Sequence, residues 1–243
     1  MNARATGRPY HHGSLPETLL GHAVELLDEG GIEAVTVREV ARRAGVSPSA
    51  PFRHYPDRAA LITAVGEAVA VDFATAQLTA VDSAEDSAEE IPFRALGTAF
   101  AHYALAHPHR FTLLRRAVFG ADRTPALQEG HDALVGAITD VIIAGQERGE
   151  LRRADPDVVR IAGQALAYGL SQMFVDNYLD ASRADELIEQ VVDLFGLGVL
   201  ASDSERRQAH EDCPCGLEAG ASEVPENPED PEDPQDPQDP EVS

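Results

Sequence analysis

The chain has 243 residues, of which 43% are hydrophobic, and it carries a formal charge of −23 with two cysteines. This length is enough for one or two domains with a substantial core. The sequence shows no run of about 18 apolar residues, no apolar signal core and no disulfide framework. We therefore expect a cytoplasmic protein with no membrane partner.

The negative charge is unevenly distributed along the chain. Residues 202–243 contain fourteen acids and two arginines, whereas the seven arginines of residues 1–60 balance the acids of that segment. The N-terminal segment is therefore the part that phosphate repels least, and four histidines accompany its arginines. Modest, salt-sensitive DNA binding by this segment is compatible with the overall charge.

Residues 1–13 are polar and include Arg4 and Arg8. Two interpretations stay open: a frayed chain end, or a flexible arm that touches the backbone or minor groove of DNA. The histidine pair at residues 11–12 lacks a nearby third ligand, which argues against a metal site.

The first long helix is predicted from Ser14, which forms an S/T-x-x-E capping box with Glu17. Apolar residues at helical spacing follow from Leu19 to Leu27, and Gly30-Gly31 is expected to end the helix.

Residues 36–58 read as two short helices joined by a tight turn. Thr36 and Glu39 form a second capping box, and Gly45 can take the left-handed conformation that ends the first short helix. Ser47 then caps a second helix with Pro48 at its first position. Such a helix-turn-helix presents its second helix to a DNA major groove, and the outward face predicted for this helix runs over residues 49–53.

The remaining chain is helical in pattern, with no credible strand and no internal repeat. Helices are predicted from residue 57 to about 78, then over 91–106, 108–119, 125–149, 156–178 and 182–200, while residues 81–90 read as a loop or a helix start.

The last two predicted helices are apolar over more of their circumference than one core-facing stripe requires. Either they belong to a thick intramolecular core, or their second side packs against another subunit. We expect a homodimer, because Gly163, Ala167 and Gly169 permit close helix approach and a two-fold DNA reader needs a pair of subunits.

The last segment, residues 202–243, is rich in Glu, Asp and Pro and is expected to be disordered. Its His210, Cys213 and Cys215 are a weak signal for a metal or redox site. The predicted organisation is thus a flexible arm (1–13), a helix-turn-helix domain (14–60), an effector-binding and dimerisation domain (61–201) and an acidic tail (202–243).

The segment TVREVARRAGVSPSAPFRHYPDRAALI resembles the TetR family of transcriptional regulators, and the upstream PYHHGSLPETLLGHAVELLDEGG resembles the first helix of one large subgroup. The specific resemblance covers residues 10–70, and GQALAYGLSQM is similar to the family's penultimate helix. It implies an all-α dimer of Ω-like outline. A small N-terminal domain would bind palindromic DNA, and a larger C-terminal domain would bind a small effector that releases it.

The resemblance also implies roles for individual residues. Thr36 and His54 match phosphate-holding positions, and Arg58 matches a basic phosphate contact. Phe52 matches an aromatic that packs on the DNA backbone or reaches a base, although the family more often has tyrosine there. Pro51 stands where the family more often has leucine; it deletes one backbone hydrogen bond and could make the second helix start later. Arg38 and Ser49 match base-contacting positions, and Arg53 lies on the outward face of the second helix. The full set of expected DNA contacts is Thr36, Arg38, Ser49, Phe52, Arg53, His54 and Arg58.

The effector pocket is expected, by the same resemblance, among the helices of the C-terminal domain. The mix of side chains favours an apolar ligand of modest size, although such residues are more often ordinary core. A metal site at His102, His107 and His109 is disfavoured, because Pro108 separates two of the rings at a helix start. The candidate ligand contacts are Phe100, Tyr103, Phe111, Phe119, Tyr168 and Met173.

The sequence thus predicts a repressor that a small apolar effector releases from a palindromic operator. The alternative is a ligand-independent activator or architectural DNA-binding protein. An enzyme is not expected, because the chain has no G-x-S-x-G, no phosphate loop and no H-E-x-x-H. Neither a cofactor nor a metal is expected.

Overall fold

The computed structural model describes residues 14–87, 90–118 and 123–197, and every regular element in these ranges is helical, which confirms the all-α prediction. Two short 3₁₀ helices, Pro51–Arg53 and Ala181–Arg183, separate some of the α-helices. The α-helices are α1 (Leu15–Ala34), α2 (Val37–Ala44), α3 (Arg58–Glu85), α4 (Pro92–Ala106), α5 (Pro108–Val118), α6 (Pro125–Glu147), α7 (Pro156–Val175) and α8 (Ala184–Leu197).

The ends of α1 follow from its sequence. The backbone N–H of Ser14 donates to the Glu17 carboxylate at 3.0 Å, as the predicted capping box requires. Gly30 and Gly31 leave helical geometry, and Gly31 has φ 70°, so the regular helix stops where the glycine pair was expected to stop it. A short further turn then leads into α2.

Helix α3 is longer than its apolar pattern predicted. Asp57 caps it by accepting from the N–H of Ala60 at 2.8 Å, but the helix continues to Glu85 through the acidic stretch that read as a loop or a helix start. Val81 and Ala84, three residues apart on one face, are buried there. Their burial keeps the acidic turns helical despite the like charges around them.

Helix α3 is also the one helix of the described ranges whose length and mean hydropathy would suffice to cross a membrane. Leu61, Val65 and Val69 of this helix lie instead in a cluster with side chains of α1 and α2. Packing against neighbouring helices therefore explains its apolar character.

Three apolar clusters join α1 to α5, α7 and α8. The first joins α1, α2 and the N-terminal half of α3 with Tyr103, Leu113 and Leu114 from α4 and α5. The second lies between α4, α7 and α8, and the third between α4, α5 and α7. Helices α4 and α5 therefore contribute side chains to the core that lies beneath the helix-turn-helix.

The C-terminal helices differ slightly from their predicted bounds. Helix α7 ends at Val175, because Asn177 takes φ 57° and the N–H of Tyr178 turns back to the carbonyl of Met173 at 2.8 Å. Asp180 accepts from the N–H of Ser182 at 2.9 Å and starts the second 3₁₀ helix, so α8 begins at Ala184. The predicted N-terminal arm and acidic tail, with Cys213 and Cys215, lie outside the described residues.

Candidate nucleic-acid interface and effector cavity

The helix-turn-helix begins at Thr36, whose hydroxyl accepts from the N–H of Glu39 at 3.2 Å. The reciprocal half of this predicted capping box is absent, because the Glu39 carboxylate binds arginines instead. Gly45 has φ 68° and closes α2, and the N–H of Val46 bonds back to the carbonyl of Ala41 at 3.1 Å. The turn therefore forms as its glycine predicted.

The second helix of the motif differs from the prediction. Residues 48–50 form a turn, and Pro51–Arg53 form a single 3₁₀ helix in place of an α-helix from Ser47 to Tyr55. Pro51 has no N–H to give to the carbonyl of Ser47, and that carbonyl accepts from Ala50 at 3.0 Å in the tighter i+3 pattern. The proline at the usual leucine position thus replaces a regular recognition helix by a compact turn.

The predicted DNA contacts in this turn are exposed. Ser49, Arg53 and His54 are open to solvent, and the Phe52 ring is 52% exposed although it is a large apolar group. Ser47 and Ser49 are linked through their hydroxyls at 3.2 Å. Thr36 and Arg38 line a shallow groove together with Pro48, so the start of α2 lies beside the turn. The structure therefore brings these predicted contacts into one region.

Ion pairs divide the arginines of α2 into two kinds. Arg42 donates to both oxygens of Glu39, at 2.8 and 2.6 Å, and Arg43 donates to Glu29 at 2.7 Å. The Arg42 hydrogen bonds lower the pKa of Glu39 to about 2, so this carboxylate stays charged and keeps its arginine partners. Arg38, by contrast, is exposed and forms no hydrogen bond or ion pair with any described residue.

Arg53 is likewise without a partner in the part of the chain that the structure describes. Phosphate and guanine edges are the groups in DNA that an uncommitted guanidinium binds best. Arg38 and Arg53 are therefore two exposed guanidinium groups of this region whose donors are not used by other described residues.

Arg58, the predicted basic phosphate contact, has hydrogen-bond partners within the protein. Its guanidinium donates to the carbonyl of Val35 at 2.8 Å, and also to the carbonyl of Ile32 and the carboxylate of Glu33. It therefore ties the start of α3 to the connection between α1 and α2. This bonding holds the helix-turn-helix in place whether or not the remaining N–H groups reach a phosphate.

Replacing Arg58 by alanine is expected to lower the free energy of unfolding by about 1–2 kcal/mol, because two backbone carbonyls lose a charged donor that is partly solvent-screened. If Arg58 also contacts phosphate, DNA binding is expected to weaken equally for all sequences. Urea unfolding and DNA titration would measure both effects, with Arg58→Lys as the variant that keeps the charge. Unchanged stability combined with weaker binding would show that Arg58 acts as a phosphate contact alone.

A cavity of about 720 Å³ lies among α3, α4, α5, α6, α7 and α8. Its wall is mainly apolar and includes Phe73, Phe100 and Phe111. Phe100 packs edge-on against Phe73 with ring centroids 5.1 Å apart, and against Phe111 at 6.0 Å. The size and lining are those of a site for a small organic molecule.

The predicted ligand residues have different positions relative to this cavity. Phe100 and Phe111 line it. Tyr103 does not, because it faces the core under the helix-turn-helix, and Tyr168 packs behind Phe111. Met173 is 38% exposed on α7 and is also absent from the wall. The sixth candidate, Phe119, lies outside the described residues.

Tyr103 belongs instead to a polar network that joins four helices. Its hydroxyl donates to Asp72 of α3 at 2.8 Å, and burial, together with this bond, raises its pKa. Arg110 of α5 donates to the same Asp72 oxygen at 2.8 Å and to both oxygens of Asp28 in α1, at 2.8 and 2.6 Å. The cavity wall touches this network, since Tyr103 packs on Phe73 at 5.2 Å.

The three histidines that suggested a metal site point to different neighbours. His102 approaches Asp185 at 3.3 Å, the ring of His107 packs against Tyr103, and His109 lies against Gly31. Within the described ranges, no group of three potential metal ligands comes together.

Sequence reasoning missed the Asp28–Arg110–Asp72 network and the polar residues of the cavity. Arg110 follows Pro108 on a short helix, and no local pattern connects it with Asp28, 82 residues earlier. A polar residue at an apolar-face position, such as Gln77 in α3, was the available signal for a polar group inside the cavity.

Comparisons with known proteins match both halves of the described chain. The model of "Bacterial regulatory proteins, tetR family" matches residues 19–65, and the model of "Tetracyclin repressor-like, C-terminal domain" matches residues 93–195. The first covers the helix-turn-helix, and the second covers most of α4 to α8, which enclose the cavity together with α3.

Similar proteins agree with these matches. A tetracycline repressor protein class A from transposon 1721 of Escherichia coli is 37% identical over 54 residues, which are 22% of this chain and a quarter of that repressor's length (25%). A solved protein of unknown function from Rhodococcus sp. RHA1 is 30% identical, with TM-score 0.69 over 79% of this chain and 98% of its own. The TetR family transcriptional regulator PfmR from Thermus thermophilus shares the fold, with TM-score 0.56 and 20% identity over 75% of this chain and 99% of its own.

Proposed function

Because the chain belongs to the TetR family of transcriptional regulators, we propose that it is a dimeric cytoplasmic repressor that leaves a palindromic operator when a small, mainly apolar effector enters its cavity. The observation that carries this proposal is the exposed surface formed by the start of α2 and the turn that follows it, where Arg38 and Arg53 have no hydrogen-bond or ion-pair partner among the described residues. The proposal assigns no enzymatic activity to the chain.

The surface proposed to read DNA consists of the start of α2 and the turn that follows it. Arg38, beside Pro48 at the groove, is proposed to contact a base edge, where an arginine pairs best with guanine. Thr36, Ser49, Phe52, Arg53 and His54 are proposed to contact the DNA around it. A 3₁₀ turn is shorter than a recognition α-helix, so this surface would read few bases in each half-site.

Replacing Arg38 by alanine is expected to relax specificity at one base position, at a cost of about 1–3 kcal/mol for the preferred base. The measurement is binding to duplexes selected from the DNA upstream of the chain's own coding sequence, with each position varied in turn. Arg42→Ala is the matched control, because Arg42 is also exposed on α2 but is paired with Glu39. Equal losses on every duplex for Arg38→Ala would mean that this residue contacts phosphate.

The proposed dimer interface is the outer face of α7 and α8. Val158, Ile161 and Leu194 are large apolar side chains that are 61%, 56% and 56% exposed. The buried residues of α7, including Leu170 and Phe174, face the core cluster with α8. The exposed apolar side is thus additional to the core-facing one, which supports a contact with a second copy.

The cavity favours an effector-controlled regulator over a ligand-independent activator or architectural protein. Protein interiors are normally close-packed, and an apolar cavity of about 720 Å³ is a departure from close packing that ligand binding would explain. The test is release of the selected duplex by candidate apolar molecules, with transcription from the same promoter as the readout. Retention of the duplex by the ligand-loaded protein would contradict the repressor proposal.

A further inference from the structure

Gln77 of α3 is the unusual polar residue of the cavity wall. It lies in the C-terminal half of a helix whose other buried residues are apolar or small, and it is 3% exposed. A buried carboxamide normally has hydrogen-bond partners, because leaving its donors and acceptor unpaired is unfavourable. Gln77 forms no hydrogen bond with any residue that the structure describes.

Other charged residues of the wall differ from Gln77, because they have partners and are less deeply buried. Arg94 donates to Asp193 at 2.6 Å, and Glu150 accepts from Arg148 at 2.6 Å. The side chains of Arg94, Asp193 and Glu150, which all line the wall, are 31–52% exposed.

Arg160, the other cation of the wall, is more deeply placed but is paired with Asp157 at 3.2 Å. The hydroxyls of Thr98 and Ser171 are fully buried without a hydrogen-bond partner among the described residues, but neither residue lines the cavity. Gln77 is therefore the described side chain that combines deep burial, a free hydrogen-bonding group and a place on the wall.

We propose that Gln77 is the polar anchor of the effector site, and that the effector is a neutral, largely apolar molecule carrying a carbonyl or hydroxyl oxygen within its apolar body. This inference rests on the proposed function and specifies its ligand class. The carboxamide can donate to a carbonyl, and it can both donate to and accept from a hydroxyl.

A neutral group matches the site better than a charged one. A carboxylate placed at Gln77 would be desolvated without a facing cation, since Arg94 and Arg160 are already paired with acids. A plain hydrocarbon would offer the carboxamide no hydrogen-bond partner. An uncharged oxygen satisfies the amide and leaves the aromatic wall in contact with the rest of the ligand.

The experiment uses the full chain and four matched probes: diphenylmethane, its ketone benzophenone, its alcohol benzhydrol, and the anion diphenylacetate. Calorimetric titration is expected to show that benzophenone and benzhydrol bind about tenfold more tightly than diphenylmethane, the gain of roughly one satisfied buried hydrogen bond. Diphenylacetate is expected to bind least.

The near-isosteric variant Gln77→Met should abolish this preference by weakening the ketone and the alcohol and leaving diphenylmethane unchanged. Leu134→Met, which alters the same wall without removing a hydrogen-bonding group, should retain the preference. The ligand-free Gln77→Met protein should melt at the same or a higher temperature than the wild type, because the substitution removes no hydrogen bond between Gln77 and a described residue.

Equal affinity of the wild type for diphenylmethane and benzophenone, no binding of any of the probes, or a Gln77→Met protein that melts at a lower temperature would overturn the assignment. The regulator proposal is tested separately by the operator complex. Oxygen-selective binding that depends on Gln77 but leaves the DNA complex intact would overturn the repressor mechanism and keep the anchor.

Discussion

Replacing Ile161 by glutamate is expected to convert the protein into a monomer and to weaken operator binding by roughly a hundredfold or more. The side chain of Ile161 is 56% exposed in the single chain, so the substitution leaves the core of the subunit intact. In the proposed dimer the glutamate would be buried against the partner without a counter-ion, which costs about 3 kcal/mol or more. A monomer would also contact one half-site instead of two.

Sedimentation velocity would measure the oligomeric state of this variant, and titration with the palindromic duplex would measure its affinity. Thr79→Glu is a suitable control, because it adds the same charge at an exposed position of α3. An Ile161→Glu protein that sediments as a dimer would show that the exposed face of α7 is not the interface. A monomer that binds the duplex as tightly as the wild type would separate DNA recognition from pairing.

Replacing Arg110 by alanine is expected to lower the free energy of unfolding by about 2 kcal/mol and to loosen α1 from the cavity helices. Arg110 is largely buried, with 17% of its side chain exposed, and its loss leaves the Asp28 and Asp72 carboxylates without their shared cation. Breaking a fully buried pair costs about 3–5 kcal/mol, and the partial exposure of both carboxylates reduces this value.

Urea unfolding would measure the stability of the Arg110 variant, and amide hydrogen exchange would locate the change. Faster exchange is expected in α1, and in α3 near Asp72, where the network joins these helices to α5. Arg115→Ala is the matched control, because Arg115 is exposed on the same helix and forms no ion pair with a described residue. Equal stability of the two variants would mean that the network contributes no more than a surface charge does.

The Arg110 network also suggests how an effector could act on DNA binding. Phe73 and Phe100 line the cavity, and Phe73 packs on Tyr103, which donates to Asp72. A ligand that displaces either ring would therefore move a member of the network that holds α1. In the repressor proposal, this is the path by which ligand binding would reposition the helix-turn-helix.

Much of the fold could be predicted from the sequence because its signals are local. The caps at Ser14 and Asp57 and the glycines at 31 and 45 act within four residues of themselves, and each behaved as expected. The recognition segment was the main local error. Pro51 was identified as a departure from the family, but its effect on a whole helix depended on how Ser47 and Ala50 would bond around it.

The candidate site was predicted less completely, because it depends on which helices meet. Aromatic residues at helical spacing looked alike in the sequence, yet Phe100 lines the cavity and Tyr103, one turn later, lies in the core beneath the helix-turn-helix. Arg58 has the position of a phosphate contact in the family, while its guanidinium binds carbonyls 23 and 26 residues earlier in the chain.

The sequence by itself determined the helical class, the order of the elements, the helix-turn-helix and the surplus apolar face of α7, since each follows from residue spacing and from the backbone preferences of glycine, proline and capping residues. The tertiary structure alone decided which arginines have no ion-pair partner among the described residues and which aromatic rings enclose the cavity. It also decided that Gln77 lines the cavity without a hydrogen bond to a described residue. These properties depend on distances of a few ångströms between side chains far apart in the chain, and packing of whole helices sets those distances.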